Sequence, residues 1–282
     1  MTYAPIDFSN IRSLIIDMDG VLWQGDAPFP GLIEFFNTLR NKGISFVLAT
    51  NNASHTPEQY VTKLEKMGVK VELREILTSA MATAAYLAQR YTPADTRVFV
   101  IGEDGAVQSL ADQGFILTDV CQFTDPEEAK SQLNADIVVS GKDRSLTWDK
   151  LATATINIRA GAAFYGTNGD TTLPTEFGLI HGNGAILAAL ETATGKAPII
   201  IGKPEPTIYQ HAMAILGADP CETVAIGDRL ETDILGAVRT GIQSIMVLSG
   251  VSTLEDLKTS TYQPTWVMKD IRDINDALNA TA

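Results

Sequence analysis

Residues 13–20 read S-L-I-I-D-M-D-G. Leu14, Ile15 and Ile16 form an unbroken apolar run, the composition of a strand covered on both faces, as in a parallel sheet packed between helices. Asp17 and Asp19 follow at once. Side chains two apart share one face of extended chain, so both carboxylates can enter a single crevice. Gly20 then lets the backbone turn away or come close to a ligand. In an open α/β sheet, ligands bind in the crevice beyond the carboxyl ends of the strands, which is where this pair of acids is expected.

An apolar strand followed at once by polar residues recurs three times. Residues 44–49 run into Thr50-Asn51-Asn52, residues 199–201 into Gly202-Lys203-Pro204, and residues 223–226 into Gly227-Asp228 and on to Asp233. Between them, residues 31–42 carry Leu32, Phe35, Phe36 and Leu39 at helical spacing, and Gly43 ends that helix. Thr56-Pro57-Glu58-Gln59 reads as a capping box opening a helix that stops near Gly68. Residues 21–31 are too rich in glycine and proline for a helix and read as a flap, with Trp23 packed beneath it.

From residue 79 the alternation restarts: helix 79–90, strand 98–101, a helix ending at Gly114, strands 115–117 and 137–139, helix 147–160 and strand 163–166. That is enough for a second core, and none of its strands ends in paired acids. Residues 167–184 read as one long, polar, glycine-rich loop, a length that in compact proteins usually marks function. Strands 244–248 and 265–268 complete the chain. The expected organisation is an α/β core of residues 1–78 and 198–282, with a second domain, 79–197, inserted into it.

With 282 residues, the chain can bury two cores. A formal net charge of −13 and a pI near 4.6 exclude an electrostatic surface for nucleic acid or an acidic membrane. Any phosphate site must therefore be made locally positive by a metal or a lysine. Cys121 and Cys221 match no zinc or redox spacing and fit a reducing compartment. The opening M-T-Y-A-P-I-D-F lacks the basic-then-apolar pattern of a signal peptide, and no apolar run reaches membrane-spanning length. A cytoplasmic protein is expected, with neither membrane nor nucleic-acid polymer among its partners.

Parallel strands would bring the four motif ends to one edge of the sheet. A nucleophilic carboxylate (Asp17), a second carboxyl for proton transfer (Asp19), a hydroxyl with a backbone N–H (Thr50, Asn51), a lysine (Lys203) and metal-binding acids (Asp228, Asp233) suit phosphoryl transfer through an aspartyl-phosphate. The electrostatics demand the whole set. Each pair of like charges at about 4 Å costs roughly 4 kcal/mol at an effective dielectric of about 20, so a phosphate dianion facing Asp17 meets about 8 kcal/mol, near six powers of ten in rate. Mg²⁺ is the expected remedy, since it takes oxygen ligands and keeps waters. Asp17 and Asp228 are the expected direct ligands, with the Asp19 carbonyl a third; Asp233, a little over one turn beyond Asp228, is expected to hold a metal-bound water. Lys203, Thr50 and the Asn51 N–H are expected on the phosphoryl oxygens. Asp19 must carry a proton when substrate binds, give it to the leaving oxygen and later take one from the attacking water. Taken singly, each motif is equally an ordinary turn or helix cap; their recurrence at strand ends in one chain speaks for a site. His181, in the long loop, reads either as a substrate contact or as a solvated histidine.

Asp17-Met18-Asp19-Gly20-Val21, Thr50-Asn51-Asn52, Gly202-Lys203-Pro204 and the run from Gly227 through Asp233 to Ile234 resemble the four motifs of the haloacid dehalogenase superfamily. They are most similar to its branch of NagD-like and nitrophenylphosphatase-type phosphatases, as are residues 167–170, 173–175, 182–184 and 189–195 of the middle segment. The resemblance implies a Rossmann-like parallel-sheet core, an inserted α/β cap of class IIA, and Mg²⁺-dependent hydrolysis of phosphate monoesters. It implies Asp17 as nucleophile, Asp19 as acid/base and backbone metal ligand, Thr50 and Lys203 on phosphate, Asp228 on the metal, and Asp233 near it. Superfamily members that dehalogenate lack the second aspartate. A cap implies small phosphorylated metabolites as substrates: nucleotide monophosphates, sugar phosphates, phosphoglycolate, pyridoxal phosphate or p-nitrophenyl phosphate. Asn168, Asp170, Leu173 and His181 are the cap residues expected to choose among them, and a homodimer through the cap is the implied assembly. Gly169 departs from the branch, where a bulkier residue is common. The competing readings are a phosphosugar mutase, which must exclude water, and a non-enzymatic phospho-acceptor switch, which should lack a large inserted domain.

Overall fold

Ser13–Ile16 forms strand β1, buried at all four positions and flanked by a parallel neighbour on each side, as its apolar run requires. The computed structural model describes residues 8–175 and 177–280. In chain order the further strands are β2 (Trp23–Gln24), β3 (Ala27–Pro28), β4 (Ser45–Thr50), β5 (Ile76–Thr78), β6 (Arg97–Ile101), β7 (Ile116–Thr118), β8 (Ile137–Ser140), β9 (Ala163–Gly166), β10 (Thr172–Thr175), β11 (Gly178–His181), β12 (Ile199–Ile200), β13 (Thr223–Gly227), β14 (Gln243–Val247) and β15 (Trp266–Met268). They fall into two units. One comprises the chain up to Thr50, Glu58–Leu77 and Lys203 onward; the other comprises Asn51–Pro57 and Thr78–Gly202.

The first unit is built on a sheet of order β15-β14-β13-β1-β4-β5, parallel from β15 through β4. From β1 the chain moves outward to β4 and β5, and only after the second unit does it return to fill β13, β14 and β15 on the other side. Strand order therefore reverses between β1 and β13, the place in an open α/β sheet where a crevice forms for ligands. The register pairs Ile16 with Ile226, and the Asp17 N–H donates to the Ile226 carbonyl at 2.8 Å, so Asp17 and Asp228 leave adjacent strands at nearly the same level. Helix Leu32–Lys42 buries Leu32, Phe35, Phe36 and Leu39 and stops at Gly43 in a left-handed conformation (φ 65°). Helix Pro57–Lys66 buries Tyr60 and Leu64.

The second unit has a parallel sheet of its own, β12-β9-β8-β6-β7, with a core that includes Phe99, Val138, Ile158 and Leu187. Three sequence expectations need correction here. The apolar run before Lys203 was expected as a strand of the first sheet; it pairs instead with β9, Ile199 beside Tyr165 and Ile200 beside Gly166. Residues 51–57, expected in the core, group with the second unit. Residues 167–184 are not one loop: β10 and β11 form a hairpin, with Leu173 opposite Ile180 and Thr172 opposite His181, before helix Asn183–Thr194 begins. A strand containing Pro174 is tolerated because a two-stranded ribbon is all edge. Helix Pro126–Gln132 also lacks a counterpart in the sequence reading.

Both cysteines are free thiols, Cys121 buried and Cys221 exposed. Among the described residues, no helix is long and apolar enough to cross a membrane. Leu48 is wholly buried in β4, two residues before Thr50. Leu48→Ala is expected to cost about 2–5 kcal/mol, read from urea unfolding followed by circular dichroism.

Candidate active site

Asp17 and Asp228 arrive at the carboxyl ends of β1 and β13, and Lys203 comes from the turn ahead of helix Pro206–Leu216. The Lys203 ammonium is buried and donates to Asp17 Oδ1 at 2.6 Å, to Asp233 Oδ1 at 2.6 Å and to the Ala49 carbonyl at 3.1 Å. Asp233 stands on a single π-helical turn, Leu230–Ile234, and the Tyr209 hydroxyl donates to its carbonyl at 3.0 Å. Such turns widen a helix locally and recur at functional sites. Here the widening brings the Asp233 carboxylate back over Arg229, whose N–H donates to Oδ2 at 3.1 Å.

Asp17, Asp228 and Asp233 each offer a carboxylate oxygen, and these oxygens lie within 4.8 Å of one another. Three carboxylates against one ammonium leave two formal negative charges in a buried space. Burial raises the Asp17 carboxyl well above the ordinary value; Lys203 pulls it back, and Asp233 and Asp228 add to the rise. Burial and then the Asp233 charge push Asp228 up to about 6. Burial favours the neutral amine of Lys203, but the charges of Asp17 and Asp233 outweigh it and raise its pKa well above that of a free lysine.

These residues fit a hard divalent cation such as magnesium. Asp228 Oδ1 is buried and has no hydrogen-bond partner among the described residues, although Oδ2 accepts from the Val251 N–H at 2.7 Å. A buried, unpartnered carboxylate oxygen is costly unless something binds it. The backbone is pressed close around it: a Cβ on Gly250 would stand 1.9 Å from Asp228 Oδ2, and one on Gly20 (φ +85°) would stand 2.5 Å away. The two oxygens of Asp233 already face Lys203 and the Arg229 N–H, which leaves Asp17 and Asp228 as the better-placed ligands.

Asp19 is not one of the three clustered carboxylates. It is exposed, and its Oδ1 accepts from the Trp23 indole N–H at 2.8 Å. Thr50 is buried at the end of β4. Sequence reasoning missed Trp23 and Tyr60 as neighbours of the acids. It also missed residues 249–252, which hold Asp228 through the N–H groups of Val251 and Ser252 and hold Gly20 through Ser249 Oγ. The S-G pair directly after a buried strand was the available signal.

The other expected residues lie in the second unit. The Asn51 side chain donates to Asp170 Oδ1 at 3.1 Å, and the Asn51 carbonyl accepts from Ser79 Oγ and from Asn168 Nδ2 at 2.7 and 2.8 Å. Asn168 Oδ1 in turn accepts from the Asp170 N–H, so the Asn168 amide is engaged at both ends. Leu173 and His181 sit on β10 and β11, with Leu173 half-buried and His181 exposed.

A parallel α/β sheet carrying acids and a lysine at a strand-order reversal suits a protein that handles phosphoryl groups. Residues 14–116 match the family described as haloacid dehalogenase-like hydrolase, and residues 200–274 match a second described as HAD-hydrolase-like. An acid sugar phosphatase of Staphylococcus aureus is 37% identical over 262 residues, covering 93% of this chain and 96% of that protein. The crystal structure of a 4-nitrophenylphosphatase from Thermotoga maritima superposes with a TM-score of 0.86 at 33% identity, covering 96% of this chain and 98% of that one. A glycerol phosphate phosphatase from Mycobacterium tuberculosis, solved in complex with magnesium, gives a TM-score of 0.84 at 33% identity, covering 98% of this chain and 79% of that one. The chain belongs to the haloacid dehalogenase superfamily, in its branch of NagD-like and nitrophenylphosphatase-type phosphatases. It is a hydrolase of phosphoric monoesters.

Two consequences concern the cation. In EDTA, Asp228→Asn removes a buried unpartnered charge, so the variant should melt at or above the wild-type temperature. Added MgCl₂ should raise the wild-type melting temperature, by about 2.7 kcal/mol of stability at a hundredfold excess over the dissociation constant, and leave the variant unmoved in scanning fluorimetry. Gly250→Ala forces the Asp228 carboxylate to shift, and the magnesium concentration for half-maximal stabilisation should rise about 10–100-fold.

Proposed function

We propose that the protein hydrolyses small phosphate monoesters of the sugar- and glycerol-phosphate kind, with magnesium, through a phosphorylated Asp17. The observation that carries this reading is the unpartnered Asp228 oxygen beside Asp17, in a cluster whose single lysine leaves it short of positive charge. Asp17 and Asp228 would hold Mg²⁺, with Asp233 close by, and the ion would supply charge neutralisation for the phosphoryl oxygens. Asp17 uses a carboxylate oxygen to attack phosphorus, and the ester P–O bond breaks. Its Oδ1 is steered by Lys203, whose ammonium also offsets charge on the transferring group. Asp19 gives its proton to the departing alkoxide. Water then attacks the acyl phosphate, Asp19 takes the proton, and phosphate leaves with Asp17 restored.

The names of the relatives support this substrate class, and the formal charge of −13 speaks against a nucleic-acid polymer in its place. Of the residues expected to choose the substrate, Leu173 and His181 keep side chains for that task, whereas Asn168 is engaged in holding Asn51 and Asp170. The test is phosphate release from sugar phosphates, glycerol phosphate and p-nitrophenyl phosphate, with magnesium or EDTA. Release should require magnesium, fall about 10⁴–10⁶-fold in Asp17→Asn, and pass through an acid-stable phosphoenzyme absent from that variant. Full activity in Asp17→Asn would remove the nucleophile, and phosphate appearing on a second sugar hydroxyl instead of in solution would make the protein a mutase.

A further inference from the structure

We propose that Trp23 is a positioning residue for Asp19, its indole N–H holding Oδ1 so that the proton exchanged in the reaction is carried by Oδ2. This rests on the reading of Asp19 as acid and base. Asp19 is exposed, and an exposed aspartate turns among its staggered rotamers unless something fixes it. The fixing group is a ring with no exposed surface: Trp23 is 0% exposed, and its Nε1 lies 2.8 Å from Asp19 Oδ1.

The turn between the two residues leaves the ring little choice. The Gly20 N–H donates to the Trp23 carbonyl and the Leu22 N–H to the Met18 carbonyl, each at 2.8 Å, and Gly20 has φ +85°. That curl brings residue 23 back beside residue 19. Trp23 pairs with Pro28 across the β2–β3 ribbon. Lys63 Nζ sits 4.6 Å from its ring centroid and is itself tied to the Gly25 carbonyl at 2.7 Å.

The chemistry follows from the donor. An indole N–H donates and cannot accept, so Oδ1 is an acceptor whether Asp19 is neutral or ionised. The acid proton is thereby confined to Oδ2. In the first step that proton passes from Oδ2 to the ester oxygen as the P–O bond breaks. In the second, a water proton passes to Oδ2 as the new O–P bond forms and the bond to Asp17 breaks. A carboxylate free to rotate would present either oxygen, protonated or not, and lose the alignment both steps need.

The test uses the full-length enzyme and two esters. Glycerol phosphate leaves as an alkoxide that needs a proton; p-nitrophenyl phosphate leaves as a phenolate that does not. In Trp23→Phe the first turnover of glycerol phosphate should slow about 100-fold. The first turnover of p-nitrophenyl phosphate should stay within about threefold of wild type. Later turnovers of p-nitrophenyl phosphate need Asp19 as base, so nitrophenolate should appear as a burst of about one equivalent and then slowly. A ring that only fills space would slow both first turnovers alike, and that result, or no change in either, overturns the proposal. Asp19→Asn is the control: it should reproduce the split, and if it hydrolyses glycerol phosphate at the wild-type rate, the role of Asp19 itself falls. If Trp23→Phe does not fold, benzothienylalanine at position 23 keeps the ring shape without the N–H and should give the same split.

Discussion

One buried ammonium joins the parts of this protein that matter. Lys203 reaches Asp17, 186 residues earlier in the chain, and Asp233, 30 residues later, with a third bond to the carbonyl of Ala49 at the end of β4. Three segments that enter the sheet at different times thus meet on a single nitrogen. A buried lysine is tolerated only with acceptors for its protons, and here carboxylates supply two of them. The converse matters more. Without Lys203 the three acids would face one another uncompensated, and removing that cation from such a buried set costs on the order of 3–5 kcal/mol. The lysine therefore holds the three acids together, but it leaves two formal negative charges unbalanced, which a divalent cation would offset.

The sheet order explains why the acids arrive in the right place. Strands β1 and β13 are neighbours from which the chain departs in opposite directions, so no connection crosses above the gap between their carboxyl ends. Asp17 and Asp228 stand at that gap because Ile16 and Ile226 are in register. Close approach does the rest. Gly20 and Gly250 bring backbone against the Asp228 carboxylate where any Cβ would collide with it, and the backbone N–H groups of Val251 and Ser252 take up one face of the residue. One carboxylate oxygen is used structurally and the other is left open, a division of labour that a side chain in free solution does not show.

Much of this was legible in the sequence, for a definite reason. Asp17 and Asp228 follow apolar runs long enough to be buried strands, so position along the strand fixes position in space. Lys203 was legible as a residue but not by its route. The run before it is two residues of ladder, Ile199–Ile200, and a ladder that short is assigned by whichever sheet lies alongside; here that is β9. The hairpin in residues 167–184 was hidden because Pro174 argues against a strand and glycines on either side argue for a loop. Trp23 was half legible. Its bulk and setting predicted burial, which holds, but the partner of its N–H depends on the curl at Gly20, and hydropathy carries no information about that. Residues 249–252 act through main-chain N–H groups, which no side-chain pattern announces.

Two clusters of buried polar residues differ in how their groups are satisfied, and the difference separates scaffold from chemistry. In the second unit, Asn183 donates to the carbonyls of Ser140 and Asn168 and accepts from Ser140 Oγ, while Asn168 and Asn51 continue the chain to Asp170. These groups are mostly neutral amides and hydroxyls with their bonds already made. Such a network fixes the start of helix Asn183–Thr194 against the 167–170 segment and asks for nothing further. In the cluster around Lys203 the buried groups are charged, crowded by like charge, and include an oxygen without a hydrogen-bond partner among the described residues. A satisfied neutral network lowers the energy of one conformation. An unsatisfied charged one raises the energy of that conformation, a cost that a bound cation would relieve. Asn168 and Asp228 are both buried polar residues in loops that follow strands; what distinguishes their roles is not burial or residue type but whether their hydrogen bonds are already spent.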